Sequence, residues 1–510
     1  MFQQGSGMEE PFGIDATKSH TTSRAGSGWV GEMQVGGASL DELFSPRGVA
    51  VVGASGSGKL SFAELVLHAL KDADFPAIYP VNPKYTEVLG LRCYPDLVSI
   101  PGVVDHVVVN IPAESALELL DQCATKGIRS VHFFTAGFGE SGFTERAELE
   151  GELLKKARAG GFRIIGPNCV GLLVPRSRLT NILGAPLEPG PVAFISQSGG
   201  HASNLPTDGA PRGLRFSKVV SYGNALDVDE SELLEYLCWD PETEIIAAYV
   251  EGVRDGRRFL EALRRAAAEK PVVIYKGGKT EAGKRAAYGH TASMTSSVAI
   301  FEGLCRQTHT IQVDDLDGMI DVLVALRFAR PLPRGEGVAL FGAGGGPSVL
   351  ASDEIENARL ELPHLSSEVQ AELRRHLPLA GSIFSNPVDT PDLATPRAIS
   401  TAVRVLSEAP EIHMIVYHLG FHPISQWGLG RFSSPEFLEP VITSFTEATK
   451  ATGKPVLLAL RPPLQLNGME EFVAAQAAFV NAGLPVFHSL RGAARAMSRA
   501  VAWSQASTGA

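Results

Sequence analysis

The stretch VVGASGSGKL, Val51–Leu60, drives an apolar run into three glycines and a lysine. Such a run suits phosphate chemistry: unobstructed backbone amides can face an anion at a helix start, and a lysine adds charge. From Gly53 to Lys59 the spacing is G-x-x-x-x-G-K, but Leu60 stands where an NTPase phosphate loop needs Ser or Thr for Mg²⁺. The dinucleotide spacing G-x-G-x-x-G is missed too, since the glycines are Gly53, Gly56 and Gly58. AIYPVNPKY, the next apolar run, ends on Asn82, Pro83 and Lys84, where an NAD site places an acid for free ribose hydroxyls. A lysine there suits a phosphorylated ribose, which coenzyme A (CoA) and NADP both carry.

The elements that must position these residues read as short apolar runs alternating with amphipathic helices, the pattern of an α/β protein. Strands are predicted at Val49–Val52, Ala77–Val81, His106–Asn110, Ser130–Phe134 and Arg163–Ile165, with helices over Glu114–Lys126 and Glu145–Ala159. They outline a Rossmann-like domain over residues 41–175. Pro175–Pro191, with four prolines, reads as a linker. A second run (Val192–Ile195, Lys218–Ser221, Ile245–Tyr249, Val272–Tyr275) predicts a flavodoxin-like, doubly wound domain over 187–330. After ARPLPRGEG, a third run (Val338–Phe341, Ile412–Tyr417, Val456–Ala459, Leu484–Phe487) predicts another over 336–505. The last two open alike, PVAFISQSGGHASNL against GVALFGAGGGPSVL: strand, glycine turn, helix start.

Composition narrows the classes. A formal net charge of −11 over 510 residues argues against a general nucleic-acid binder. The five cysteines (Cys93, Cys123, Cys169, Cys238, Cys305) show no CxxC spacing, so neither a metal knuckle nor a disulfide framework is expected, and a reducing cytoplasm is. Without a run of about 18 apolar residues, no membrane span is expected. Residues 1–40, rich in Gly, Ser and Thr and lacking a secretory apolar core, read as a flexible leader.

VNPKYTEVLGLRCYPDL, IGPNCVGLL, FISQSGG, KVVSYGNALDVDESELLEYL, YVEGVRDGRRFL, AAYGHTASM and SNPVDTPDL follow one another along the chain. Together they resemble the NDP-forming acyl-CoA synthetases, relatives of succinyl-CoA synthetase, over roughly Leu43 to Ser498. The resemblance implies a CoA-binding domain followed by two flavodoxin-like ligase domains. It implies that His290, expected in a mobile, helix-breaking loop, takes a phosphoryl group from ATP and passes it to a carboxylic acid. CoA then displaces phosphate from the acyl phosphate. Glu251 would hold the other ring nitrogen of His290. Ser196, Gln197, Ser198, Gly199 and Gly200 would receive the phosphoryl group at a helix start, where the dipole stabilises a unit charge by ~0.3–2 kcal/mol. Pro206 and Pro211 would shorten or kink that helix beyond its first turn.

For CoA, the resemblance assigns Gly53, Ala54, Ser55 and Lys59 to the pyrophosphate and Asn82, Pro83 and Lys84 to the adenosine end. Asn110, Ile111 and Pro112, with Thr135, Ala136 and Gly137, would flank the pantetheine arm. Asn168 and Asn224 would line the place where acyl phosphate meets thiol, with Cys169 a packing residue. HTASMTSS departs from the family's HTGALAGS and stiffens the segment after His290. No ATP-grasp module follows Ala500, which implies an α-type subunit working with a separate ATP-grasp β-type partner in a hetero-oligomer. ATP/ADP and Mg²⁺ would bind mainly on that partner. No arginine pair announces a second carboxylate, which leans towards a monocarboxylic acid. Two other classes stand beside this one: a non-catalytic CoA-binding regulatory subunit, and a CoA-dependent acyl or carbamoyl transferase that does not use ATP.

Overall fold

Apolar runs covered on both faces become parallel strands here, and each ends in a glycine or polar turn at the same edge of its sheet. The computed structural model describes residues 38–56, 61–291, 297–342, 345–390, 395–420, 432–463, 466 and 468–508; for 288–291, 345 and 508 it describes the backbone alone. Gly37–Ala510 form one compact unit. Residues 1–37 of the expected leader, Lys59 and the segment 292–296 lie outside the described residues. Ser39 caps the helix Leu40–Phe44 in a capping box with Glu42, and Leu43 and Phe44 are buried.

The first sheet comprises β1 (Val49–Val52), β2 (Ile78–Val81), β5 (His106–Val109), β6 (Ser130–Phe133) and β7 (Arg163–Ile165), ordered β2-β1-β5-β6-β7; β3 (Glu87–Val88) and β4 (Leu91–Arg92) form a separate hairpin. The burial of every residue of β1, β5 and β6 is what a parallel sheet with helices on both faces demands. Ser61 and Glu64 box the start of the helix Phe62–Asp72. The second sheet holds β8 (Leu172–Val174), β9 (Leu179–Thr180), β10 (Pro189–Ser196), β11 (Phe216–Ser221), β12 (Ile245–Val250), β13 (Val272–Lys276) and β14 (Ile311–Val313), ordered β14-β13-β12-β10-β11-β8-β9. The third holds β15 (Val338–Gly342), β16 (Val388–Asp389), β17 (Met414–Gly420), β18 (Val456–Arg461) and β19 (Val486–Phe487), ordered β16-β15-β17-β18-β19.

The parallel strands of all three sheets share one winding: the first of them is central, the second lies to one side and the rest to the other. A crevice opens where the direction of winding reverses, between β1 and β5, β10 and β12, and β15 and β17. The proline-rich stretch predicted as a linker is instead part of the second sheet. β8 pairs antiparallel with β11 (Leu173 opposite Val219), β9 pairs with β8, and β10 starts at Pro189. Leu172, Leu173 and Leu179 are fully buried, so this segment has apolar surface enough to extend a sheet edge.

The regions are stitched together. Arg163 of β7 bonds Asp227 (2.8 Å) and Glu232 (2.7 Å), and Asn224 donates its backbone N–H to the Pro167 carbonyl (3.0 Å). One apolar core joins the second and third sheets through the packed helices Leu316–Phe328 and Leu490–Thr508. There the buried Arg212 pairs with Asp321 (2.7 Å) and donates to the Val486 carbonyl (3.0 Å).

Candidate functional site

At the first crevice β1 ends in Gly53, with φ +90°, and a side chain there would collide with the Asn110 carbonyl. Only glycine lets the two strand ends approach this closely. Gly53 donates to the Val81 carbonyl (3.0 Å), and Asn82 Nδ2 donates to the Ala54 carbonyl (2.6 Å). The Asn82 Oδ1 accepts the backbone N–H of Lys84 (2.9 Å), so the VNPK turn is held against the glycine loop with Lys84 exposed. Ser55 stands next to them on the loop, and Pro83 within the turn. Across the crevice, the Thr135 hydroxyl donates to the Ile111 carbonyl (2.7 Å), tying the segment Asn110–Pro112 to Thr135–Gly137. Gly137, at φ +95°, has open space where a side chain would stand, and Ala136 lies between it and Thr135. The residues present form a groove of backbone and small side chains with a cation at one end, which fits an elongated phosphorylated ligand.

At the second crevice the buried Gln197 bridges two strands. Its Oε1 accepts the backbone N–H groups of Glu251 and of Gly252 (3.0 Å), fixing Glu251 at the end of β12. The Glu251 carboxylate accepts the Tyr249 hydroxyl (3.2 Å). Ser198 caps the helix Gly199–Gly209 by accepting the His201 N–H (3.4 Å), and the Ser196 hydroxyl donates to the Ser198 carbonyl (2.7 Å). Pro206 is accommodated within that helix, which passes into a short 3₁₀ turn at Ala210–Arg212 containing Pro211. The first turn, with Gly199 and Gly200, keeps its free amides. Lys276, fully buried at the end of β13, donates to the carbonyls of Glu251 (2.6 Å) and Gly277, and burial pushes its ammonium down to about 8. His201 packs edge-on against Tyr249, ring centroids 4.4 Å apart; burial lowers its imidazole while the Glu251 charge opposes the shift.

His290 is not in a loop. Its backbone closes the helix Glu281–Thr291, opened by Thr280, whose hydroxyl accepts the Gly283 N–H (3.0 Å). Ala282, Ala286 and Ala287 favour helix strongly enough to carry Gly283 and Gly289. This helix packs against the turn Gly139–Ser141 of the first region. In that turn Glu140 accepts the Asn224 side-chain amide (2.6 Å) and the N–H groups of Gly137 and Phe138 (3.2 Å). Asn168, at φ +59°, donates to the Thr135 carbonyl (3.1 Å). Asn168, Asn224 and the strand end Thr135–Gly137 are therefore brought together, beside the helix of His290. Cys169 is buried with its thiol pushed up by desolvation, a packing residue as expected.

Three families match in chain order: CoA binding domain over residues 47–175, succinyl-CoA ligase like flavodoxin domain over 189–326, and ligase-CoA domain over 338–472. The α subunit of acetate–CoA ligase (ADP-forming) II of Pyrococcus furiosus is 38% identical over 377 residues, 74% of this chain and 81% of that one. The α subunit of isoenzyme I from the same organism is 32% identical over 473 residues, 92% of this chain and 98% of that one.

This chain belongs to the ADP-forming acetate–CoA ligase family.

A solved structure agrees: the dinucleotide-forming acetyl-coenzyme A synthetase 1 of Candidatus Korarchaeum cryptofilum, in complex with phosphate and ADP. It superposes with a TM-score of 0.76 at 30% identity, covering 92% of this chain and 98% of that one. Against two matching Archaeoglobus fulgidus ligases, the chain spans about half their length. Within this family fold, reading the sequence missed Tyr249, Lys276, His201 and Glu140. Lys276 and Glu140 each follow the end of an apolar strand next to glycines, a signal present in IYKGG and TAGFGE. Tyr249 and His201 are close only because β10 and β12 are neighbours.

Among the described residues no helix is long and apolar enough to cross a membrane, and no group of three His, Cys, Asp or Glu is placed to hold a metal ion.

Proposed function

We propose that this chain is the α-type, histidine-phosphorylated subunit of an ADP-forming acyl-CoA synthetase, making acyl-CoA from a carboxylic acid, CoA and ATP. A ring nitrogen of His290 attacks the γ-phosphorus of ATP and ADP leaves. The acid's carboxylate oxygen then takes the phosphoryl group from His290. The CoA sulfur attacks the acyl carbon of that acyl phosphate, and inorganic phosphate leaves with the C–O bonding pair. Glu251 orients the imidazole and stabilises its charged form. The first-turn amides of Gly199 and Gly200 hold phosphate, and the groove from Gly53 and Lys84 to Gly137 holds CoA. A separate ATP-grasp β-type subunit supplies ATP and Mg²⁺, and the assembly works in the cytoplasm, in keeping with five buried, free thiols.

One juxtaposition carries this reading: Glu251 fixed through Gln197 beside a capped, glycine-opened helix start at the second crevice. The test mixes the chain with an ATP-grasp partner and γ-labelled ATP. Acid-labile label that disappears in His290→Ala, with thiol consumption on adding acid and CoA, is expected. No label on His290 with any partner would overturn the reading in favour of a regulatory subunit. Acyl phosphate made from acyl-CoA and phosphate without nucleotide would favour a transferase.

A further inference from the structure

Residues 277–280 join β13 to the helix that bears His290, and the last residue of β13 is Lys276. Its side chain is 1% exposed, and its ammonium makes two bonds to different parts of the chain. One goes to the carbonyl of Gly277, the first residue of that turn; the other goes to the carbonyl of Glu251 (2.6 Å), just past the end of β12. A single cation therefore ties the root of the His290 helix to the peptide that carries the Glu251 carboxylate.

That peptide is held from its other side as well. Gln197 Oε1 accepts the N–H groups of Glu251 and of Gly252 (3.0 Å), so both polar groups of the Glu251 backbone are bonded within the protein. Gly277 leaves room for the arrangement: a Cβ there would stand 2.4 Å from the Tyr249 hydroxyl and 3.3 Å from Glu251 Cγ. Its own N–H donates to the Val250 carbonyl (2.9 Å), which keeps the turn in register with β12.

For folding alone an ammonium is a poor choice here, because an apolar side chain in place of a buried charge is often neutral or stabilising. What the charge adds is grip: hydrogen bonds from an ionised donor are roughly twice as strong as those from a neutral one. Burial acts most strongly on the ammonium and brings it down to about 8. Glu251, from the end of β12, opposes that shift, while Lys279 and Lys284, from the turn and helix after β13, add to it. Lys279 is paired with Asp314 (3.0 Å) and Lys284 with Glu281 (2.6 Å). The helix Val298–Gln307 presents only the uncharged ring of Phe301, its centroid 5.8 Å from Nζ.

We infer, resting on the synthetase reading above, that Lys276 is a positioning residue for phosphoryl transfer: its ammonium locks the root of the His290 helix to Glu251, so that carboxylate and imidazole meet in one geometry. Loss of the proton leaves the N–H donors of an amine without the charge that strengthens them, and the lock loosens. Alkali then drives activity and stability apart. The folded chain is relieved of a buried charge, while transfer slows.

The test uses the full chain with its ATP-grasp partner and γ-labelled ATP. It follows the initial rate of His290 labelling, and the melting temperature, from about pH 6.5 to about 9.5. The wild-type rate is expected to fall about tenfold above pH ~8, to a plateau, as the geometry slackens. Lys276→Met should label at about that plateau rate throughout, so the two chains converge in alkali even as the wild-type melting temperature gains on that of the variant. A lysine that only supports the fold would leave the two rate profiles parallel. Lys276→Gln keeps a donor that does not titrate; it should also lack the alkaline fall, and it stands in if the Met variant does not fold. A wild-type rate flat across the range, or an alkaline fall of the same size in a folded variant, overturns the role of Lys276. If wild-type His290 takes label, only that role is lost; if it takes none with any partner, the synthetase reading falls and this role with it.

Discussion

At the second crevice β10 ends on Ser196 and leads to Gln197, while its neighbour β12 leads to Glu251; at the third, β15 ends on Gly342 and β17 carries His418. In both, the first strand is followed in the chain by a helix, Gly199–Gly209 in one case and Gly345–Asn357 in the other. The partners across the crevice differ. Glu251 has a buried cation, Lys276, on its own carbonyl and a tyrosine hydroxyl on its carboxylate. His418 is buried, touches Ser348 (3.3 Å) and lies so close to Gly342 that a side chain there would run into its ring. Burial lowers the His418 imidazole, opposed by Asp389. The winding fixes where a ligand-facing residue stands, and the residue found there fixes the chemistry. One crevice is charged, the other filled by a neutral ring.

The largest expected effect separates the two crevices by function. Glu251→Gln should cut labelling of His290 by about a hundredfold or more with an unchanged melting curve, while His418→Gln should leave it within about threefold. Equal losses would erase the distinction. Packing gives the next largest contrast. Gly342→Ala pushes a methyl into the His418 ring and should cost about 1–3 kcal/mol in a denaturant titration. At Gly200 a Cβ meets only the Ser198 hydroxyl at 3.8 Å, so Gly200→Ala should change stability by no more than about 1 kcal/mol, with gain favoured in a helix.

Titration sharpens the comparison last. Lys276 ionises at about 8 when folded against 10.5 ordinarily, so the unfolded chain binds more protons between those values. Stability should therefore rise with pH across that window, by at most ~1.4 kcal/mol per unit, and Lys276→Met should flatten the rise. His418 acts with the same sign, at lower pH. Its neutral burial contributes fully above the ordinary value of 6.5 and is lost as pH falls below it. His106 and His132, pushed down to about 3 and about 4 by burial, act with the same sign. His418→Gln should soften the acid loss without abolishing it, as followed by melting temperature from pH 7 to 4.

What the sequence made legible was the strand ends. Gly53, Asn110, Gln197 and Glu251 each follow an apolar run, and a parallel sheet puts such positions at one edge. The short strands β14 and β16 stayed hidden because, unlike the equally short β7 and β19, neither lies within a longer apolar run. The β8–β9 hairpin was masked by prolines that sit just outside its paired residues. The helical setting of His290 was missed because two glycines outweighed the alanines between them. Glu140 and His201 could not be assigned to a site from spacing, since their neighbours Asn224 and Tyr249 come from other strands and turns.

The hairpin that continues the first region into the edge of the second sheet has a mechanical consequence. With Arg163 clamped to Asp227 and Glu232, and Ser221 donating to the Gly171 carbonyl (2.8 Å), the two regions share a welded seam rather than a hinge. On the function proposed above, a phosphoryl group carried by His290 would then cross by displacement of the helix end that bears it, against this fixed seam, and not by rocking of the two regions.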